Sequence, residues 1–114
     1  MDTTLSPKER AQALLEKLSL EEKMAQVTGT LVMPGMEGKA AGRFQNGIGE
    51  VSALVSAACE TEEDAVKWQR NLQKMIMEEN RYHIPAIFHS EGLAGALVSG
   101  SESFPLEMNR GASF

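Results

Sequence analysis

The apolar positions near the amino terminus, Ala11, Leu14, Leu15 and Leu18, recur at helical spacing behind Ser6, Pro7 and Glu9. Ser6 is placed to cap, Pro7 stands at the first helical position, and Glu9 completes a capping box three residues after the cap. Ser19 with Glu22 repeats that pattern and predicts a second short helix to about Val27, with Leu20, Met24 and Val27 on one face. From Thr28 to Asn46 no period is sustained, and the glycines and Pro34 there predict a long loop. Asn46-Gly47 marks a turn, after which Ile48, Val51, Leu54 and Val55 among small residues predict a buried strand around 48 to 54. Thr61 is placed to cap a helix over 62 to 80 that opens with Glu62, Glu63 and Asp64, the charge sign a helix amino terminus favours. Its apolar stripe is Ala65, Trp68, Leu72, Met75 and Ile76, and Glu63 and Lys67 stand at a favourable i,i+4 spacing. A strand over 84 to 89 follows, so strand, helix and strand make a βαβ unit of parallel type and an α/β fold class.

That last apolar run, IPAIFH, ends abruptly in His89, Ser90 and Glu91 and then in a glycine-rich turn. In parallel α/β folds ligands bind at the carboxyl ends of the strands, which makes Glu91 the first residue to expect at a ligand. Two readings of Glu91 stand side by side. Its carboxylate can accept paired hydrogen bonds from neighbouring hydroxyls, or it can cap the turn or helix that follows. His89 could donate to a ligand or act as a general acid, but a lone histidine at a strand end is more often paired with backbone or a carboxylate, and that reading is favoured from the local sequence. His83 precedes the strand on the stability side of such folds and reads as structural.

Composition narrows the field. At 114 residues the chain is one domain at most, and a full (β/α)₈ barrel takes roughly 250. A hydrophobic content of 42% and a charged content of 24% are ordinary for a globular domain. The net charge of −5 disfavours nucleic acid as a partner. Cys59 is the single cysteine, so an intrachain disulfide and a multi-thiolate metal site are both excluded. No stretch has the length of a signal-peptide core or approaches the roughly 18 apolar residues of a membrane span, and the expected location is cytoplasmic, with no membrane partner.

No cofactor or metal is expected either. Gly47-Ile48-Gly49 with Ser52 lacks the third glycine of a dinucleotide fingerprint, and the glycines serve strand entry. The acids from Glu60 to Asp64 are explained by helix-start electrostatics, and the seven methionines read as core and loop filler. Ser103 with a histidine and an acid is not a hydrolase triad, since no GxSxG elbow is present. Arg43 and Arg110 read as solvated surface cations.

Four segments, LSLEEKMAQVT at 18–28, NGIGEVSAL at 46–54, HIPAIFHSEGLAGA at 83–96 and ESFPLEMNRGASF at 102–114, occur in an order and spacing that resembles the amino-terminal region of family-3 glycoside hydrolases. The resemblance implies that residues 1–114 are the opening βαβ elements of a partial (β/α)₈ TIM barrel, an amino-terminal fragment of the catalytic domain. It further implies a retaining hydrolase of β-linked glucosides or xylosides, with Glu91 binding sugar hydroxyls and His89 beside it. The carboxylate nucleophile and the acid/base of that family lie farther along, so no catalytic residue is expected here. Many members carry histidine where Ala94 stands, which leaves that polar contact missing or replaced. The alternative is a non-catalytic sugar-binding or assembly module. A partial sheet leaves edges uncovered, so self-association or docking with the remainder of a barrel is expected.

Overall fold

The computed structural model describes residues 4–53, 59–90, 94, 100, 102 and 105–113. Both capping boxes form. Ser6 Oγ accepts from the Glu9 amide at 3.3 Å while the Ser6 amide donates to Glu9 Oε2 at 2.9 Å, opening α1 (Pro7–Leu15). Ser19 and Glu22 exchange the same two bonds, at 3.2 and 2.7 Å, and open α2 (Leu20–Gln26). Each pair satisfies two backbone donors that a helix start otherwise leaves unpaired.

The chain then runs through β1 (Gly29–Val32), α3 (Glu37–Ala40), β2 (Glu50–Ala53), α4 (Glu62–Glu79), β3 (Ile87–His89) and α5 (Glu107–Gly111). The three strands form one parallel sheet in the order β1-β2-β3. The βαβ unit predicted from sequence is therefore present as β2-α4-β3, and the protein is α/β in character. Entry into β2 depends on a close approach. The Gly49 amide donates to the carbonyls of Ala25 and Thr28, and a Cβ at Gly49 would collide with the Gln26 carbonyl. Gly47, in the turn before it, has φ +86°, a backbone region that costs glycine little.

Helix α4 supplies the core. Thr61 caps it by accepting from the Asp64 amide at 3.1 Å, and Ala65, Trp68, Leu72 and Ile76 are buried along its length, with Met75 partly buried beside them. They pack with Val32 of β1, Val51 of β2, Phe44, Ile48 and Ala86, and Phe88 of β3 lies against the cluster. Val51, Leu72 and Ile76 are the largest fully buried side chains, each worth about 1.5–3 kcal/mol of transfer free energy. The i,i+4 ion pair on α4 is Lys74–Glu78 at 3.7 Å, and its exposure makes it a minor term. Glu63, in the first turn, instead serves the helix dipole.

The carboxyl-terminal half of α4 ties the other elements together through polar groups. Gln73 donates to the Ala86 carbonyl at 2.9 Å and accepts from the Ala86 amide at 3.1 Å. Glu79 accepts from the amides of Gly42 and Phe44 at 2.8 and 2.9 Å, which fixes the loop after α3. Asn80 is buried and its amide is spent on the backbone. It donates to the carbonyls of Ile76 and Ile84 at 2.7 and 3.0 Å and accepts from the Ile84 amide at 2.8 Å. Beyond the helix, Arg81 donates to Glu22 at 2.9 Å and to the Lys17 carbonyl at 3.2 Å, and the Tyr82 hydroxyl donates to the same carbonyl.

Several expectations need correction. The segment from Thr28 to Asn46 is not a continuous loop, since it holds β1 and α3. β1 is four residues that open on Gly29 and end two positions before Pro34, and it becomes a strand because β2 offers it a parallel partner. The face of α2 formed by Leu20, Met24 and Val27 is exposed, at 70%, 58% and 81%. Glu22 is the buried residue of that helix, drawn inward by Ser19 and Arg81. α1 has no buried residue, and Leu18 after it is the apolar side chain that reaches the interior. The strand over 84 to 89 shortens to Ile87–His89, because the amides of Ile84 and Ala86 are taken by Asn80 and Gln73 and Pro85 has none. β2 likewise begins at Glu50 rather than at residue 48, and Leu54 and Val55 lie outside the described residues.

Two outcomes follow from these contacts. Asn80→Ala strands the amide and carbonyl of Ile84 in a part-buried setting and should lower unfolding free energy by about 2–3 kcal/mol in urea titrations. Lys74→Ala, by comparison, should change it by less than about 0.5 kcal/mol. The indole N–H of Trp68, the single tryptophan, donates to the Glu37 carboxylate. Hydrogen bonds from its own backbone amide, then from Gly35 and Trp68, outweigh desolvation and hold Glu37 below the usual carboxylate range. The folded form is thus the stronger acid, so this contribution is present above the unfolded value of about 4.5 and is lost as pH falls through the lower folded value. Trp68 fluorescence should change over that acid range, and Glu37→Gln should remove the change; an unaltered titration in the variant would refute the link.

Candidate functional site

Alternation along the strands sorts their side chains onto two faces. Val32, Val51 and Phe88 face α4. The opposite face carries two rows across the sheet, Gly29–Glu50–Ile87 and Leu31–Ser52–His89, each set abreast by the parallel register. Leu31 and Ile87 are 50% and 66% exposed, so nothing among the described residues covers this face. Parallel sheets are normally covered on both sides. Among the described residues, then, one face of the sheet is packed and the other is not.

His89 sits on it, at the last position of β3, with Ser90 exposed immediately after. The His89 Nε2 lies 3.8 Å from Glu50 Oε2, one strand over and one row nearer the strand starts. Of the two site residues expected from sequence, His89 is thus placed at a strand carboxyl end, and its partner is a carboxylate. Glu91, two residues on, lies outside the described residues, as do Ser103 and Phe104. Ala94 lies in a turn.

Sequence reasoning missed Glu50 and Ser52. The signal was present in the alternation of Glu50-Val51-Ser52, where Val51 is buried and its neighbours face the other way. Glu50, Ser52 and His89 supply a carboxylate, a hydroxyl and an imidazole to one side of the sheet. Such a set offers acceptors and donors to a polar ligand. The described residues of this face do not include the two flanking carboxyl groups that glycosidic bond cleavage ordinarily uses. Nor do the described residues contain a group of three or more histidine, cysteine or acidic side chains able to hold a metal ion.

The concave surfaces lie elsewhere. One of about 310 Å³ is lined by Ala13, Leu14, Lys17, Arg81, Tyr82 and His83. Its arginine is already committed: Arg81 is paired with Glu22 and rests 4.4 Å from the centre of the Tyr82 ring. A shallower groove of about 420 Å³ runs along the outer side of α4, between Arg70, Gln73, Met77 and His83. His83, at φ +54°, sets its Nδ1 2.7 Å from the Met77 carbonyl. A carbonyl only accepts, so Nδ1 carries the proton there, and the residue closes the end of α4 as a structural histidine should.

The class these observations define is an α/β unit with a parallel three-stranded sheet, one face packed by helix and one face open. The chain is 34% identical, over 121 aligned positions, to a protein of Formosa agariphila named "Putative beta-xylosidase". The alignment takes in 99% of this chain and 16% of that protein, so the chain spans about one sixth of the relative's length. No family model matches the chain.

Away from the open face, the Cys59 thiol is pushed up from its ordinary value by burial first and then by the carboxylates of Asp64 and Glu37. At pH 8 the folded chain should therefore be alkylated by iodoacetamide more slowly than the chain in urea, and Asp64→Asn should speed the folded reaction. Equal rates in the folded and unfolded chains would contradict this placement.

Proposed function

We propose that the chain is the amino-terminal part of the barrel of a family-3-type retaining glycoside hydrolase acting on β-linked xylosides or glucosides. Within that barrel its own contribution is sugar binding. The observation that carries this reading is the 34% identity, across nearly the whole chain, to a protein named as a β-xylosidase. The four sequence segments that resemble family 3 support it independently. So does the sheet. Three parallel strands with a helix-packed side and an open side suit the first strands of a (β/α)₈ barrel, whose interior the face bearing Glu50, Ser52 and His89 would line.

In this reading Glu91 accepts hydrogen bonds from hydroxyls of the sugar next to the scissile bond, and His89 lies beside it. The nucleophile and acid/base come from later barrel strands. The uncovered apolar side chains Leu31 and Ile87, and the α2 face of Leu20, Met24 and Val27, are then surfaces for the remainder of the barrel.

The purified chain should bind D-xylose or D-glucose saturably in an NMR titration, with a millimolar dissociation constant, about 4 kcal/mol of binding free energy. Glu91→Ala should abolish that binding, and aryl β-xylosides and β-glucosides should not be turned over. Binding unchanged in Glu91→Ala would overturn the assignment of that residue. Hydrolysis by the chain, with contaminating enzyme excluded, would overturn the division of labour.

A further inference from the structure

We propose that Glu50 is a positioning residue for His89, holding the imidazole by Nε2 so that Nδ1 is presented to a sugar hydroxyl. The proposal rests on the sugar-binding reading of this strand end. It adds two residues, Glu50 and Ser52, to which sequence reasoning assigned no role.

The geometry comes from the register. Ser52 stands directly abreast of His89, and Glu50 stands on the same face of β2 one row nearer the strand starts. From there its carboxylate reaches diagonally to the ring, with Glu50 Oε2 3.8 Å from His89 Nε2. That separation is a charge-pair distance, a few tenths of an ångström longer than a hydrogen bond. Both side chains are about half exposed, at 49% for His89 and 59% for Glu50. On an open surface such a pair contributes little. A sugar bound on this face excludes water from it, and a carboxylate facing an imidazole is then held more firmly.

The strands limit the alternatives. On this face β1 presents Gly29 and Leu31, and β3 presents Ile87 besides His89, so Glu50 is the charged group these strands set against the ring. The Ser52 side chain makes no hydrogen bond to a described residue, and a hydroxyl can both donate and accept. A carboxylate only accepts. When the ring turns Nε2–H toward that carboxylate, Nδ1 of the neutral ring is left as an acceptor. A sugar hydroxyl can donate to Nδ1 while accepting from the Ser52 hydroxyl. This is the two-way hydrogen bonding that distinguishes a polyol from a simple anion or cation. Fixing one ring nitrogen by a carboxylate so that the other faces the ligand is how proteins choose a histidine tautomer.

The test is a titration of the ¹⁵N-histidine-labelled chain with D-xylose and D-glucose. His83 and His89 are the only two histidines, and His83→Gln assigns the signals. Saturable movement of the His89 Nδ1 resonance, with Nε2 nearly still, is expected on sugar addition. Glu50→Ala and His89→Ala should each weaken binding about fivefold or more, and the double variant should be no weaker than His89→Ala alone, because the two act as one unit. Glu50→Gln keeps an acceptor and should bind within about twofold of the unsubstituted chain, whereas a role resting on charge alone predicts the same loss as Glu50→Ala. Thermal unfolding followed by circular dichroism confirms that each variant is folded. If Glu91→Ala weakens binding while Glu50→Ala and His89→Ala do not, this inference fails and the sugar reading stands. Weakening by His89→Ala alone also overturns it, since Glu50 then holds nothing. Absence of saturable binding by the unsubstituted chain overturns both.

Discussion

The carboxyl-terminal half of α4 is where the parts of this fold are joined, and the joining is done by side chains that satisfy backbone. Buried amides and carbonyls must find partners, and here the segments approaching β3 and following α3 find theirs on one helix. Gln73 serves Ala86, Asn80 serves Ile84, and Glu79 serves Gly42 and Phe44. Arg81 and Tyr82 extend the same service to the junction between α1 and α2 through the Lys17 carbonyl. The apolar stripe of α4 fixes the helix on the sheet, and these bonds then decide where each neighbouring segment lies. Without them, Ile84 and Ala86 would compete for places in the sheet.

That arrangement consumes one side of the sheet and leaves the other. Leu31 and Ile87 on the bare face, together with the outward face of α2, are more apolar surface than such a small unit needs to show water. Between them the same face carries Glu50, Ser52 and His89. A mixed surface of this kind suits an interior that is dry against protein and polar toward a ligand. The proposed sugar binding is assigned to this face for that reason, and not to the cavities around Arg81 and Met77.

Local signals were legible wherever the chemistry was local. Ser6 with Glu9, Ser19 with Glu22, and Thr61 with Asp64 form the caps their spacing announces. The α4 stripe was readable because four of its five residues repeat at helical spacing over many turns and all bury against one sheet. β1 was not readable. Four residues opening on Gly29 carry no period, and their strand character exists only in pairing with β2. The face of α2 was misread for a related reason: amphipathic spacing says which residues share a side, while Glu22 and its partner Arg81, distant in sequence, decided which side turned inward.

The candidate site divides in the same way. His89 was visible because an apolar run stops at it, a feature of adjacent residues. Glu50 was invisible as its partner, since their approach depends on two strands lying in register across a crossover helix. By itself the sequence determined the helix starts, the α/β class with its parallel βαβ unit, the burial of Ala65, Trp68, Leu72 and Ile76, and a polar strand end at His89. Only the tertiary structure decided which face of the sheet stays open, which residues of α2 point outward, and that Glu50 and Ser52 stand beside His89. Periodicity and capping are encoded within a few residues, whereas register and coverage exist only between segments that the chain brings together by folding.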